Sequence, residues 1–249
     1  MALFCYDACM DLTIIDELKV KLEQEPDIHA MWIVGSVAEG YADELSDVDI
    51  WLDIDDGTDK GVFTSIEKLI AKKGKIDVNF SEGITPPFSH AVYHLAGSSP
   101  LHFIEVTLHS HSHKFGQFDS LRKIKVIFDK DDTTKFEDFD EVGYNKMLSE
   151  RKTFLVEKIE IGKLSVEKEI MRQQFPDAMH NYLFWLVEPI IELARIKYSP
   201  LKITYNLKHA SRDLPKEVVK EIESLYQVAS LDDLHSKIDQ VDSMLKKYK

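Results

Sequence analysis

The chain has only two cysteines, Cys5 and Cys9, which lie four residues apart in what we interpret as the first helix. Free thiols fit this arrangement better than a disulfide, and no further cysteines exist to complete a zinc site. No apolar run approaches the roughly 20 residues that cross a bilayer, and the first residues lack the basic and apolar regions of a secretory signal. The expectation is a cytoplasmic protein without membrane contact.

Positive charge is also scarce, because 31 lysines and arginines face 44 acidic residues and give a formal net charge of −13. Nucleic-acid binding draws on clustered Lys and Arg, so this balance argues against a nucleic-acid partner. It is compatible with a small cationic ligand. Neither Gly-x-Gly-x-x-Gly nor Gly-x4-Gly-Lys-Ser/Thr occurs, so Rossmann and P-loop sites have no motif behind them.

The spacing of apolar residues divides the chain into two parts. Up to residue 141, apolar alternation and short periodic stretches predict an α/β (α+β) domain with a mixed sheet and flanking helices. Its predicted elements are helices near 12–24 and 64–73, strands at 31–34, 47–54, 76–80, 103–108 and 124–128, and an irregular stretch through 86–100. Residues 142–249 have apolar residues at three- and four-residue spacing, which predicts an all-helical bundle domain.

The most informative stretch begins with a short apolar run, Met31–Val34, that ends at Gly35 and Ser36. This pattern is typical of a buried strand that breaks into a turn. A helix that starts at this turn directs its free backbone N–H groups outward, together with the Ser36 hydroxyl. Such a helix start predicts a phosphate-binding site.

Two aspartates follow at alternating positions, Asp47 and Asp49, where a second strand begins. Because side chains alternate along a strand, both carboxylates are expected on one face while Val48 and Ile50 point to the core. Adjacent carboxylates repel each other unless a cation lies between them, and a hard divalent ion with oxygen ligands is the usual solution. The two motifs together predict a site for a metal ion and a nucleotide.

The Gly-Ser turn followed by Asp-x-Asp resembles the signature of the DNA polymerase β-like nucleotidyltransferases. Within that superfamily the chain is most similar to the aminoglycoside (streptomycin/spectinomycin) adenylyltransferases. The segment Phe103–Leu108 is similar to the strand that carries their third carboxylate, and Ala194–Ser199 and Leu214-Pro215 are similar to parts of their helical domain. The resemblance implies a polymerase β-like sheet domain followed by a helical bundle.

Two residues compete for the place of the third carboxylate. Glu105 alternates with Ile104 and Val106 on a predicted half-buried strand, and Asp77 has the same position on the strand at 76–80. The resemblance favours Glu105. Both assignments stay open at this point.

The resemblance also implies a reaction. Two Mg²⁺ ions held by Asp47, Asp49 and Glu105 would bind the phosphates of ATP, and Gly35 and Ser36 would hold the terminal phosphates. Glu105 would complete the metal shell or accept the proton of the acceptor hydroxyl. A nucleoside monophosphate, AMP from ATP, would pass to a hydroxyl of a small molecule such as an aminoglycoside-type antibiotic, with release of pyrophosphate. Nucleotidylation of a protein or RNA end and a non-catalytic regulatory role are the alternatives.

Residues of the helical half are assigned by resemblance alone. A lysine of this domain reaches the triphosphate in the resembled family, and Lys202 and Lys208 are the candidates here. Many relatives carry a basic residue where this chain has Glu39, so a bundle lysine is needed to balance phosphate charge. Further residues are candidates for the phosphate or acceptor region: Trp185, Glu188, Glu192, Lys197 and Arg212.

Three histidines alternate at the end of the predicted strand that carries Glu105, namely His109, His111 and His113. Imidazoles on one side of a strand suit Zn²⁺ or Ni²⁺. The intervening Ser110 and Ser112 leave no apolar face, however. An exposed strand end or loop is therefore the favoured interpretation over a metal site.

Overall fold

The computed structural model describes residues 13–116, 121–136 and 138–248. The chain divides into two compact units, Met1–Phe139 and Asp140–Lys249. Cys5 and Cys9 lie outside the described residues. Among the helices of the described ranges, none is long and apolar enough to cross a membrane.

In its described part, the first unit combines helices with a six-stranded mixed sheet. The elements are α1 Thr13–Leu22, β1 Ile28–Ile33, α2 Gly35–Glu39, β2 Val48–Ile54, α3 Asp59–Ile70, β3 Ile76–Ser81, β4 Phe88–Leu95, β5 Ile104–Ser110 and β6 Lys125–Asp129. The strand order is β3-β4-β5-β2-β1-β6. Strands β2 and β5 are parallel, and the other neighbours are antiparallel. The predicted mixed sheet with flanking helices is confirmed.

The alternation along β2 decides which sheet face is the core. Val48, Ile50, Leu52 and Ile54 are all buried, and they belong to the apolar cluster that includes the inner faces of α1 and α3. The intervening positions therefore point to the opposite face, because successive side chains of a strand alternate. Asp49 lies on that second face. Glu105 lies there too, because it is the register partner of Asp49 on the neighbouring strand β5.

Strand β4 corrects the prediction of an irregular stretch over 86–100. The residues that β4 buries on its inner face are Ser89, Ala91 and Tyr93, which are small, polar or aromatic. Its other face carries His90 and His94, so the strand lacks the aliphatic alternation that identifies β2. Pairing with β3 and β5 on both sides stabilises this segment as a strand despite that weak pattern.

The second unit is helical, as the apolar spacing predicts. Its helices are α4 Glu141–Met171, α5 Phe175–Tyr182, α6 Glu188–Tyr198, α7 Ala210–Asp213, α8 Lys216–Leu225 and α9 Leu231–Tyr248. A π-helical turn, Leu183–Val187, joins α5 to α6 just before Pro189. Proline has no N–H for the regular ladder, which accounts for an irregularity at this place.

Arg195 on α6 is fully buried in this unit. Its Nε donates to the carbonyl of Asn206 at 2.6 Å and its Nη2 to the carbonyl of Lys208 at 2.6 Å, while Nη1 lies 3.4 Å from Asp213 Oδ2. Asn206 and His209 have φ values of +47° and +60°, a region that side-chain-bearing residues rarely adopt. The guanidinium thus holds a strained connection between α6 and α7.

Candidate active site

The turn between β1 and β2 fits the Asp49 side chain closely. Gly35 has φ +66°, and a Cβ placed on it would collide with Asp49 Oδ2. The backbone N–H of Val34 donates to the Asp49 carbonyl at 3.1 Å, which fixes the two segments to each other. Glycine is therefore required at position 35 both for its backbone conformation and for the room that the Asp49 carboxylate occupies.

We expect Gly35→Ala to destabilise the protein more than Gly40→Ala. Both glycines have positive φ, but a Cβ on Gly40 would meet nothing within 4 Å. Left-handed backbone alone costs an alanine about 1–2 kcal/mol, and Gly35→Ala must in addition displace the Asp49 carboxylate. Urea unfolding of both variants measures the difference. Equal losses of unfolding free energy would show that Asp49 does not constrain the turn.

Asp47 lies where β2 and β5 begin side by side. Its Oδ1 accepts a hydrogen bond from the Phe103 N–H at 2.8 Å, and the Val48 N–H donates to the Phe103 carbonyl at 3.0 Å. The Asp47 side chain therefore continues the pairing of the two strands beyond the last ladder bond. Asp47, Asp49 and Glu105 share the same end of this strand pair.

Glu105 is the direct register partner of Asp49 across the parallel β2–β5 pair. Neighbouring strands lie about 4.8 Å apart, and paired residues point to the same face. The Glu105 Oε2 atom lies 3.5 Å from His90 Nε2 on β4. His90 therefore contacts the predicted site residue Glu105, and no local sequence pattern indicates the strand that carries it.

Asp77 occupies a different part of the sheet. It lies on the edge strand β3, which β4 and β5 separate from β2. Its Oδ1 pairs with His94 Nδ1 at 2.6 Å. Asp77 therefore has a partner of its own and lies away from Asp49.

The Asp77–His94 pair predicts a pH dependence of stability. The hydrogen bond from His94 lowers the pKa of Asp77, and the same bond raises the pKa of His94. The His94 contribution is complete below its unfolded pKa of about 6.5 and is lost as pH rises through the folded value, whereas that of Asp77 is lost as pH falls below about 3.9. We expect His94→Gln to lower the Tm most between about pH 4 and 6.5, in thermal unfolding scans across pH.

Asp77→Asn serves as the matched variant for this pH series, because it removes the other partner of the same bond. Its Tm deficit should follow the same pH profile as that of His94→Gln. A deficit that is constant from pH 4 to 9 in both variants would contradict the assigned ion pair.

The three carboxylates fit Mg²⁺ only together with other oxygen ligands. Mg²⁺ is usually held by one or two carboxylates, several waters and substrate phosphates rather than by a protein cage. Asp49 against the side-chain-free Gly35, with Glu105 beside it, is compatible with that kind of site.

Three of the four basic residues predicted to reach phosphate make contacts inside the helical unit, and the fourth, Lys208, is exposed. Lys202 Nζ lies 3.4 Å from Asp213 Oδ1, and Lys208 is exposed. Lys197 Nζ donates to the Lys247 carbonyl at 2.8 Å, and Arg212 Nε donates to Asp213 at 2.9 Å.

The candidate acceptor residues also have contacts within the helical unit. Glu192 accepts two hydrogen bonds from Arg151, at 2.6 and 2.9 Å. Trp185 packs against the helical core, and Lys158 Nζ lies 5.5 Å from its ring centroid. Glu188, at the start of α6, is exposed.

The expectation of an exposed end for His109 is wrong. Strand β5 continues to Ser110, and His109 is fully buried. Its Nδ1 bonds to Asp53 Oδ1 at 2.8 Å, and its ring stacks on Phe115 with centroids 4.2 Å apart. Burial would raise the pKa of Asp53, but hydrogen bonds from His109, His111 and Thr133 lower it overall. The buried histidine is thus stabilised by an ionised carboxylate, which the serine pattern does not reveal.

No protein-family model and no curated protein matches the chain. Among solved structures, an aminoglycoside 6-adenyltransferase from Bacillus subtilis aligns over 94% of this chain and 86% of its own, with 14% identity and a TM-score of 0.37. A spectinomycin adenyltransferase from Enterococcus faecialis, solved with ATP and spectinomycin, aligns over 95% and 89%, with 11% identity and a TM-score of 0.37.

A nucleotidyltransferase-like protein from Exiguobacterium sibiricum aligns over 94% of this chain and 73% of its own, with 12% identity and a TM-score of 0.36. The chain is therefore distantly similar to solved adenyltransferases and to a nucleotidyltransferase-like protein.

Proposed function

We propose that the protein is a Mg²⁺-dependent nucleotidyltransferase that transfers AMP from ATP to a hydroxyl of a small molecule and releases pyrophosphate. The observation that carries the proposal is the juxtaposition of Gly35, Asp49 and Glu105. A glycine turn without a side chain faces one carboxylate, and a second carboxylate is paired with the first in register. A phosphate-binding turn beside adjacent acids is what the transfer of a nucleotidyl group requires.

Asp47 and Asp49 would hold the metal ions, with Glu105 as the third ligand. Bound Mg²⁺ would lower the pKa of the attacking hydroxyl and offset negative charge at the α-phosphorus and on the pyrophosphate. The Phe103 N–H fixes the Asp47 carboxylate, and the close fit to Gly35 fixes that of Asp49. The protein contributes orientation and charge rather than a covalent intermediate.

The alternative to metal binding by Glu105 is that it acts as the base. Its carboxylate would accept the proton of the acceptor hydroxyl when that oxygen comes within hydrogen-bond reach. His90, 3.5 Å from Glu105 Oε2, would then position the carboxylate. Ser36 and the first-turn amides of α2 would contact the terminal phosphates; Val34, at the helix N-cap, provides no competing side-chain hydrogen bond.

The acceptor that we favour is a small cationic molecule with hydroxyl groups, such as an aminoglycoside-type antibiotic. The net charge of −13 supports a cationic acceptor and argues against an RNA end. A protein hydroxyl is the second acceptor class. A non-catalytic regulatory role would not require three carboxylates at one end of the β2–β5 pair. Lys202 and Lys208 stay candidates for contact with the triphosphate.

Pyrophosphate release tests the proposal. Purified protein is incubated with each nucleoside triphosphate, Mg²⁺ and a panel of aminoglycosides, aminocyclitols and uncharged polyols. The expected result is release with ATP that depends on one class of cationic acceptor and stops on chelation with EDTA. Mass spectrometry should show an acceptor heavier by one AMP. If no acceptor in the panel, and no protein, is nucleotidylated while ATP still binds, the regulatory alternative replaces the enzyme.

A further inference from the structure

A second polar cluster lies on the same sheet as the carboxylates of the proposed active site, at the opposite end of its strands. His29 is near the start of β1, Asp53 is near the end of β2, and His111 directly follows β5. Asp131 follows β6, which is antiparallel to β1. Asp49 and Asp53 are four positions apart on β2, or about 13 Å at about 3.3 Å per residue. The proposed catalytic carboxylates do not account for this cluster.

Three side chains of the cluster have the spacing of metal ligands. His29, His111 and Asp131 each offer a ligand atom, and these atoms all lie within 4.8 Å of one another. His29 Nδ1 lies 2.5 Å from Asp131 Oδ2, and its Nε2 lies 2.8 Å from Asp55 Oδ1. The His29 and His111 rings are stacked, with centroids 3.8 Å apart and planes inclined by 21°. Two imidazoles are thus held together among carboxylates.

Asp53 orients one of these imidazoles. It is fully buried, and its Oδ2 accepts from His111 Nδ1 at 2.5 Å and from the Thr133 hydroxyl at 3.0 Å. Its Oδ1 accepts from His109 Nδ1 at 2.8 Å. With the Nδ1 proton of His111 donated to a carboxylate, the lone pair on Nε2 is available to a metal. A carboxylate behind a histidine is the usual outer partner of a metal-bound imidazole.

We propose that His29, His111 and Asp131 form a binding site for Zn²⁺, with Asp53 as the residue that positions His111. Two imidazoles and one carboxylate are a ligand set that Zn²⁺ accepts, with a fourth position left for water or another oxygen. Mg²⁺ prefers oxygen ligands, so a site with two imidazoles should select Zn²⁺, whereas the proposed catalytic site, which has only carboxylates, should select Mg²⁺. Binding requires the two stacked rings to tilt, so that one nitrogen of each ring converges on the ion. The coordinating nitrogen of His29 must also give up its hydrogen bond to a carboxylate and release any proton that it carries to solvent.

The ion would act as a structural link. His29, His111 and Asp131 belong to three segments that are far apart in sequence, since His29 and Asp131 are separated by 102 positions. An ion that binds the folded protein and not the unfolded chain stabilises the fold in proportion to the logarithm of its concentration over Kd. Zn²⁺ is therefore expected to raise the Tm of the full chain progressively once its free concentration exceeds Kd, while the amount bound saturates at one ion per molecule.

The first test measures binding directly. Protein is freed of metal by chelation, dialysed against Zn²⁺, and analysed for bound metal by mass spectrometry. The expected stoichiometry is one Zn²⁺ per chain. Co²⁺, as a spectroscopic substitute, should give a visible ligand-field spectrum with imidazole coordination. His111→Ala and Asp131→Asn should each weaken binding of Zn²⁺ by at least about 10–100-fold, the range seen even for outer-partner losses.

His113→Ala is the matched control, because it removes an exposed imidazole two residues from His111 that is outside the trio. It should bind Zn²⁺ as the wild type does. Circular dichroism in EDTA establishes that every variant is folded before metal is added, and Asp131→Asn changes an exposed side chain that a fold should tolerate. Asp49→Asn should retain the Zn²⁺ site, which separates this proposal from the proposed function.

Two outcomes would overturn the proposal. One is a wild type with no Zn²⁺ bound after dialysis at micromolar metal. The other is binding that His111→Ala and Asp131→Asn leave unchanged, since the ion would then be adventitious or held elsewhere. A stabilising effect of Zn²⁺ on Tm that is equal in the wild type and in both variants would count against the site in the same way.

Discussion

Asp49→Asn is expected to lower the rate of nucleotide transfer by at least about 10²–10³-fold, the loss typical of removing one electrostatic group from a preorganised site. Asparagine keeps the size of the side chain beside Gly35 but removes the charge that a divalent ion requires. The measurement is pyrophosphate release at saturating ATP and Mg²⁺. Binding of ATP in the presence of Mg²⁺, followed by calorimetry, should weaken in parallel.

Asp77→Asn is the control for this experiment, because it makes the same chemical change on strand β3, away from Asp49. It should retain transfer within a few-fold of wild type under conditions where it is folded. If Asp77→Asn abolishes transfer and Asp49→Asn does not, the catalytic metal ion binds at Asp77 on the edge strand β3 and not at Asp49. Glu105→Gln should resemble Asp49→Asn, whether Glu105 binds metal or accepts the proton.

The local pattern of β2 was sufficient to predict its structure. Its apolar residues at every second position correctly predict a buried strand with Asp49 on the other face, because period-two alternation follows directly from backbone geometry. The Gly35–Ser36 turn was predictable for the same reason: glycine after a buried strand commonly takes positive φ. Helix α3 starts at Asp59, five residues before the predicted start at Thr64. The sequence therefore predicts which face of a helix is buried more accurately than where the helix begins.

Strand β4 and its His90 could not be predicted from local pattern. Their conformation depends on pairing with β3 and β5, and a strand that is enclosed by neighbours needs no aliphatic alternation of its own. The contact of Glu105 with His90 therefore becomes visible only once the strand order is known.

The proposed zinc site is a stronger case of the same limit. His111 and Asp53 are 58 positions apart, and His29 lies on another strand again. A metal motif is recognised in sequence when its ligands share one local segment, as in closely spaced Cys or His pairs. Here three strands of one sheet bring the ligands together, so their proximity is not visible in any local segment. The alternating His109, His111 and His113 are the local pattern that hints at a metal, and of these only His111 belongs to the trio.

Replacing Arg195 should have the largest effect on stability. Arg195→Met keeps an unbranched side chain of similar length but leaves the Asn206 and Lys208 carbonyls without their donors and removes a cation from the buried Asp213. Loss of one partner of a buried, hydrogen-bonded charge pair costs about 3–5 kcal/mol. Because native proteins are stable by only about 5–15 kcal/mol, this is a large share of the total. Urea unfolding, followed by circular dichroism, measures it.

Arg195→Lys separates charge from geometry. Lysine keeps the cation near Asp213 but has no planar fork to reach two carbonyls at once, so an intermediate loss is expected. Arg212→Met is the matched control, since Arg212 bonds the same Asp213 from a partly exposed position and should cost at most about 1 kcal/mol. If Arg195→Met and Arg212→Met unfold at the same urea concentration, Arg195 does not hold the connection to α7. The positive φ values of Asn206 and His209 must then be stabilised by other contacts.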